Sequence, residues 1–149
     1  MSLNNIKEIA TYIVAEGKGI LAADESNPTC GKRFDSIGVE STEENRRDYR
    51  EMLFRSKGMK DNIGGVILFD ETIRQTAADG TLLRDIISNQ GALPGIKVDK
   101  GLQPIEGCDG ETVTVGLEGL DERLKEYASM GAKFTKWRAV INIGDGIPS

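Results

Sequence analysis

The chain has 149 residues, of which 38% are apolar and 29% charged, and its formal net charge is −5 at pH 7. This length suits one domain, and the composition is typical of a globular rather than a disordered protein. The charge balance argues against general nucleic-acid binding, and the absence of histidine excludes Ser-His and Cys-His catalytic pairs within the chain.

The first predicted elements are a helix and a buried strand. Apolar residues between Leu3 and Ala15 recur at helical spacing, and Gly17 ends that pattern. The run GILAADES then predicts a strand buried on both faces, as in a parallel sheet. Asp24 lies at its end, where a carboxylate is costly unless it has a partner. It is therefore either a site residue or the cap of the following turn.

A loop and a helix follow this strand. The segment NPTCGKRFDSIG, residues 27–38, contains Pro28 and Gly31 and is interpreted as a loop or short turn. Ser41 and Glu44 have the spacing of a capping box, which predicts a helix from there to about residue 55. The arginines of this helix are typical of a solvated face.

The middle of the chain contains a second strand, a helix and a third strand. The apolar run from Gly64 to Phe69 is the clearest strand signal, and a helix is predicted near Thr81–Asn89. In the short strand GIKVDKG, residues 95–101, Lys97 and Asp99 share one face. Residues 101–116 are predicted to be a long connection, followed by a helix ending at Gly131.

The last predicted strand, AKFTKWRAV at residues 132–140, carries charges at positions where a buried strand would be apolar. Alternation puts Phe134, Lys136 and Arg138 on one face. Two cations on one face indicate a site for anionic groups, and Lys136 could also act as a catalytic amine. The alternative is an edge strand that displays solvated cations.

Four strands alternating with helices predict an α/β fold with a parallel sheet. A doubly wound sheet and a (β/α)8 barrel are both compatible with this order. Charged residues at the ends of three strands favour the barrel, whose site residues lie at the carboxyl ends of its strands. However, four strands are only half of a barrel, which typically needs about 250 residues.

Several segments closely resemble class I fructose-1,6-bisphosphate aldolase. They are, in the order of that family, GKGILAADES, STEENRRDYREML, GGVILFDET, GIKVDKGLQP and AKFTKWRAV. The resemblance implies a (β/α)8 TIM barrel, of which the chain would contain about the first four β/α units. It also implies a lyase of glycolysis and gluconeogenesis, which cleaves fructose 1,6-bisphosphate to dihydroxyacetone phosphate and glyceraldehyde 3-phosphate through a lysine Schiff base.

The resemblance also implies roles for individual residues. Asp24 matches an aspartate that moves protons around the carbinolamine and iminium, and Lys136 matches a lysine that assists formation and dehydration of the carbinolamine. The substrate-binding positions implied in the same way are Ser26, Thr29, Arg33, Arg46, Lys97 and Arg138. Clustered lysines fit this chemistry, because burial and like charges lower a lysine pKa from about 10.4 and leave more neutral amine.

The Schiff-base lysine and the catalytic glutamate of this family come later than the fourth strand, and Ser149 is the last residue here. We therefore expect residues 1–149 to form a single, incomplete domain that does not catalyse aldol cleavage alone. Open strand edges would make the isolated chain aggregate, pair with another half-barrel or loosen. The alternative function is a non-catalytic module that binds phosphate or assembles with a full-length enzyme.

Location and partners follow from the same reasoning. Cys30 and Cys108 lack metal-ligand spacing and are typical of free thiols in a reducing compartment. A signal peptide and an apolar run of about 18 residues are both missing, so a cytoplasmic location is the default expectation. No cofactor, metal, nucleic acid or membrane partner is expected. The resemblance implies sugar bisphosphate and triose phosphate ligands and a homo-oligomer.

Overall fold

A computed structural model describes residues 5–149, which contain seven helices and six strands. The helices are α1 (Ile6–Ile13), α2 (Asn27–Asp35), α3 (Glu43–Phe54), α4 (Met59–Asn62), α5 (Asp70–Arg74), α6 (Leu83–Asn89) and α7 (Leu120–Ser129). The strands are β1 (Gly19–Ala23), β2 (Ile63–Leu68), β3 (Leu93–Lys97), β4 (Leu102–Pro104), β5 (Thr112–Thr114) and β6 (Phe134–Lys136). Leu3, the first apolar residue of the predicted leading helix, lies outside the described residues.

The main sheet has four parallel strands in the order β1-β2-β3-β6. Each strand is separated from the next by at least one helix, which is the crossover that parallel pairing requires. The predicted α/β fold with a parallel sheet is therefore confirmed, and four strands agree with the predicted partial barrel. Within the described residues, β1 and β6 each pair on one side only, so the sheet has two open edges.

Phe134 determines how β6 lies against the rest of the sheet. A Cβ built on Gly95 in β3 would be 2.4 Å from Cζ of Phe134, and one on Gly65 in β2 would be 3.0 Å from it. The Phe134 ring therefore lies across two strands at positions where a side chain would exclude it. A residue of β6 thus reaches over β3 to β2, and the two glycines leave the room that its ring needs.

The core fills the space between the sheet and the surrounding helices. Its fully buried members come from several elements: Phe54, Val66, Leu68, Ile73, Leu83, Ile87 and Ile96. Trp137 is half-buried and packs against this core, as its position on the face opposite Lys136 predicts. Removing such side chains from water is the main favourable contribution to folding.

Three local predictions differ from the structure. Thr42 rather than Ser41 caps α3, since its hydroxyl accepts a hydrogen bond from the N–H of Asn45 at 3.1 Å. Residues 27–35 form α2 instead of a loop, with Pro28 in the first turn, where its missing N–H costs nothing. The predicted connection 101–116 contains the antiparallel pair β4–β5.

Candidate active site

One cavity of about 850 Å³ opens at the carboxyl ends of the parallel strands. Residues from the ends of all four strands and from the segments that follow them line it. Those that the sequence singled out are Asp24, Ser26, Thr29, Lys97, Asp99, Lys136 and Arg138. The carboxyl ends of parallel strands are where sites form in barrels of this kind, because the loops there can vary without disturbing the sheet.

Asp24 and Lys136 form an ion pair across the cavity. Nζ of Lys136 donates to Oδ2 of Asp24 at 2.7 Å, and the two side chains are 30% and 10% exposed. Asp24 directly follows β1, whereas Lys136 is the last residue of β6 at the other edge of the sheet. In a flat sheet, three intervals of about 4.8 Å would separate these strands by about 14 Å. The pair is therefore evidence that the strand ends curve toward a common centre.

Lys97 and Asp99 form a second pair at the end of β3. Nζ of Lys97 donates to Oδ1 of Asp99 at 2.8 Å and to its carbonyl oxygen at 2.9 Å. Oδ2 of Asp99 accepts from the backbone N–H of Arg138 at 3.3 Å. Burial alone would raise the pKa of Asp99, but the hydrogen bond and charge of Lys97, with two backbone N–H groups, hold that pKa below its ordinary value. Asp99 thus stays ionised and ties β3 to the segment after β6.

Lys97 and Lys136 lie side by side as register partners of β3 and β6, as the expected cluster of lysines requires, and each is also paired with a carboxylate. The nearest charged partner of Lys136 is Asp24, and that of Lys97 is Asp99. A cavity with paired charges of both signs can hold an anionic ligand and can also move a proton between an amine and a carboxylate.

A hydroxyl pair lies at the start of α2, at the same end of the sheet. Oγ of Ser26 and Oγ1 of Thr29 are 3.1 Å apart, and Ser26 is the N-cap residue of the nine-residue helix. Backbone N–H groups and the positive end of the helix dipole also point toward this corner. Ser26 and Thr29 therefore lie together in a setting suited to an anion, and their contact with a substrate phosphate stays a prediction.

Two predicted substrate-binding arginines, Arg33 and Arg46, do not line the cavity. Arg33 is 56% exposed and forms an ion pair with Glu25, whose carboxylate does line it. Arg46 is bound by Glu71 through two hydrogen bonds, from Nε at 2.8 Å and from Nη2 at 2.7 Å. This pairing joins α3 to α5. Contact of either arginine with substrate stays a prediction.

The cavity also contains residues that the sequence reasoning missed. Asp70 follows β2 much as Asp24 follows β1, and it accepts from the hydroxyl of Tyr127 at 2.9 Å. Burial would raise the pKa of Asp70, but hydrogen bonds from Arg74 and Tyr127 keep that pKa below its ordinary value. A carboxylate directly after a buried strand was a signal that could have identified Asp70.

No candidate metal cluster of His, Cys, Asp or Glu occurs among residues 5–149. In the same part of the chain, no helix is long and apolar enough to span a membrane.

Comparisons with known proteins agree on one family. A family model described as fructose-bisphosphate aldolase class-I matches residues 5–149. A probable fructose-bisphosphate aldolase class 1 of Xanthomonas campestris is 56% identical over 149 residues, which are 100% of this chain and 45% of the relative. The cytosolic fructose-bisphosphate aldolase 4 of Arabidopsis thaliana is 55% identical over 140 residues, 94% of this chain and 36% of the relative.

A solved structure is also similar. It is the fructose-bisphosphate aldolase of Plasmodium falciparum in complex with TRAP and a small-molecule inhibitor, with 49% sequence identity and a TM-score of 0.91. The match covers 94% of this chain and 40% of that chain. The chain thus spans less than half the length of the relatives that it matches.

Proposed function

Because the chain belongs to the class I fructose-bisphosphate aldolase family, a family of lyases, we propose that it contributes to cleavage of fructose 1,6-bisphosphate. The products are dihydroxyacetone phosphate and glyceraldehyde 3-phosphate. Residues 1–149 supply the proton-transfer groups and one anion-binding corner of the site. The lysine that forms the Schiff base lies outside these 149 residues, as the family resemblance implies.

The Asp24–Lys136 pair is the observation that carries this proposal. Schiff-base formation from a ketone requires a proton on the departing hydroxyl of the carbinolamine, and later steps return protons to the carbon skeleton. An amine and a carboxylate 2.7 Å apart can exchange a proton without rearrangement. Their partial burial excludes much of the water that would compete for that proton.

The remaining groups position an anionic sugar. Ser26, Thr29 and the first turn of α2 provide hydroxyl and N–H donors for a phosphate, and Arg138 adds a cation to the lining of the same cavity. We assign to Lys97 the donation of hydrogen bonds to substrate hydroxyls, and its ion pair with Asp99 and its position in the cavity lining support this role. These assignments have support from the shared cavity and from the donor chemistry of the side chains.

The proposal is tested in a chimera. Since the chain spans 45% of the Xanthomonas relative, its 149 residues replace the matching residues of that enzyme, and cleavage of fructose 1,6-bisphosphate is measured in a coupled assay. We expect the chimera to turn over the bisphosphate. We expect Lys136→Met and Asp24→Asn each to lower kcat by about 10²–10⁴-fold, the range for a lost acid–base group.

Lys133→Met is the matched control, because Lys133 is exposed and does not line the cavity. It should leave kcat unchanged. A folded chimera that fails to cleave the bisphosphate would refute the proposed function. Full activity in Lys136→Met would refute the role given to that lysine.

We also propose a cytoplasmic location and self-association of the complete enzyme. Support for the location is the cytosolic name of the Arabidopsis relative. Cell fractionation and sedimentation of the chimera test these two points; recovery with membranes or a strictly monomeric species would contradict them.

A further inference from the structure

Glu25 shares its carboxylate between two arginines of different exposure. Oε2 accepts from Nη1 of Arg50 at 2.5 Å, and Oε1 accepts from Nη1 of Arg33. The side chain of Arg50 is 3% exposed, whereas that of Arg33 is 56% exposed. One carboxylate therefore joins a buried cation, supplied by α3, to an exposed cation on α2.

Arg50 also holds the backbone of the segment that follows β1. Its Nη2 donates to the carbonyl oxygen of Glu25 at 2.9 Å and lies 3.6 Å from Sγ of Cys30. Glu25 stands between Asp24 and Ser26, both of which line the cavity. Because the Arg50 guanidinium binds both the carboxylate and the carbonyl oxygen of Glu25, it limits the movement of Asp24 and Ser26 on either side.

The charges of this cluster decide what Arg33 can do. Two guanidiniums and one carboxylate leave a net charge of +1, and the exposed member is Arg33. Arg33 is already paired with Glu25, so a phosphate must take the place of that carboxylate to bind Arg33. With Arg50 present, Glu25 keeps a cationic partner when Arg33 leaves it, whereas without Arg50 the exchange would leave Glu25 unpaired beside an incoming anion.

We propose that Arg50 is a positioning residue for anion binding, which keeps Glu25 neutralised so that Arg33 can exchange that carboxylate for a phosphate of the substrate. This inference rests on the proposed function, because Arg33 extends from α2, whose first turn forms the phosphate-binding corner of the site, although Arg33 itself does not line the cavity. Arg50 is not a catalytic residue. It acts through Glu25 and touches no substrate.

A purely structural role for Arg50 makes a different prediction, and a double variant separates the two. Arg50→Met removes both the neutralising charge and the hydrogen bond to the carbonyl oxygen of Glu25. Adding Glu25→Gln to Arg50→Met restores the net charge of the cluster to +1 without restoring that hydrogen bond. Neutralisation therefore predicts that the double variant regains anion binding, whereas a purely structural role predicts that it does not.

The experiment is a calorimetric titration of the folded chimera with inorganic phosphate at constant ionic strength. We expect Arg50→Met to raise the dissociation constant for phosphate about tenfold, because Glu25 then loses its second cationic partner. The double variant should recover most of that loss, and Arg50→Lys, which keeps the charge, should lose less than Arg50→Met.

Arg47→Met is the matched control on the same helix, because Arg47 pairs with Glu44 and Asp48 and does not line the cavity. It should bind phosphate as the unsubstituted chimera does. If Arg50→Met does not fold, Glu25→Gln provides the test. It removes the carboxylate that competes with phosphate for Arg33, so phosphate should bind more tightly.

Three results would overturn the inference. They are an Arg50→Met chimera that binds phosphate normally, a double variant that stays as weak as Arg50→Met, and an unsubstituted chimera that binds no phosphate. Steady-state kinetics of the chimera separate this failure from that of the proposed function. A folded but inactive chimera that still follows the expected phosphate series would refute aldol cleavage and leave the role of Arg50 intact.

Discussion

Gly95→Ala should destabilise the sheet and also displace Lys136, the lysine to which we assign proton transfer. A Cβ at this position would lie 2.4, 2.5 and 2.6 Å from three carbons of the Phe134 ring. Carbon atoms in contact prefer about 3.5–4.0 Å, so the ring must move by about 1 Å or more. Overpacking of this kind typically costs about 1–3 kcal/mol of unfolding free energy. We expect the upper part of that range, since a ring has no flexible end that could move aside.

The same displacement should reach the active site. Lys136 is two residues beyond Phe134 on the same face of β6, so a shift of the ring moves Nζ of Lys136 relative to Asp24. A misplacement of about 1 Å can lower a rate by about 100-fold. The assay is urea unfolding of the chimera together with kcat for the bisphosphate.

Gly31→Ala is the control for this substitution. In α2, a Cβ at Gly31 would have its nearest contact at 3.8 Å, with Cβ of Ser41, so the helix should gain up to about 1 kcal/mol. A Gly95→Ala protein within about 0.5 kcal/mol of the unsubstituted chimera, with unchanged kcat, would refute the packing argument.

Two further predictions concern groups whose pKa values are shifted. Cys30 is 1% exposed, and burial raises the pKa of its thiol. A thiol reagent should therefore modify the half-buried Cys108 at least about tenfold faster than Cys30. Equal rates of modification would contradict the burial of Cys30. The hydrogen bond from Arg46 lowers the pKa of Glu71 below its ordinary 4.5, so Glu71 stabilises the fold above that value and the contribution is lost as the pH falls through the folded pKa. Urea unfolding at about pH 6 and about pH 3 should therefore show Glu71→Gln as destabilising mainly at the higher pH; an equal difference at both would contradict this.

Local patterns in the sequence predicted the two central strands, β2 and β3, because most of their residues are buried on both faces. The prediction that β1 is buried on both faces was wrong, since this strand lies at an edge of the sheet and only Ala23 in it is buried. The run from Gly64 to Phe69 could only be a strand buried on both faces, and the structure has β2 at Ile63–Leu68. The helix α2 was missed because Pro28 and Gly31 usually indicate a loop. It forms because the proline falls in the first turn and because Cys30 and Phe34 are buried beneath it.

The candidate site was predictable where charges follow buried strands, since such charges need partners. Asp24, Lys97 and Lys136 were identified in this way, and each lines the cavity. The partners of Arg33 and Arg46 were not predictable. Arg33 binds Glu25, 8 residues away in the sequence, and Arg46 binds Glu71, 25 residues away. The periodicity of a helix or strand does not predict contacts at such separations.

The central claim is that residues 1–149 supply proton transfer and anion binding, and that the Schiff base forms on a lysine outside them. The most direct test incubates the chimera with dihydroxyacetone phosphate, reduces it with borohydride and locates the adduct by peptide mass spectrometry. The account predicts a covalent adduct on a lysine of the Xanthomonas portion, with Lys97 and Lys136 unmodified. An adduct on any lysine of residues 1–149 would contradict it.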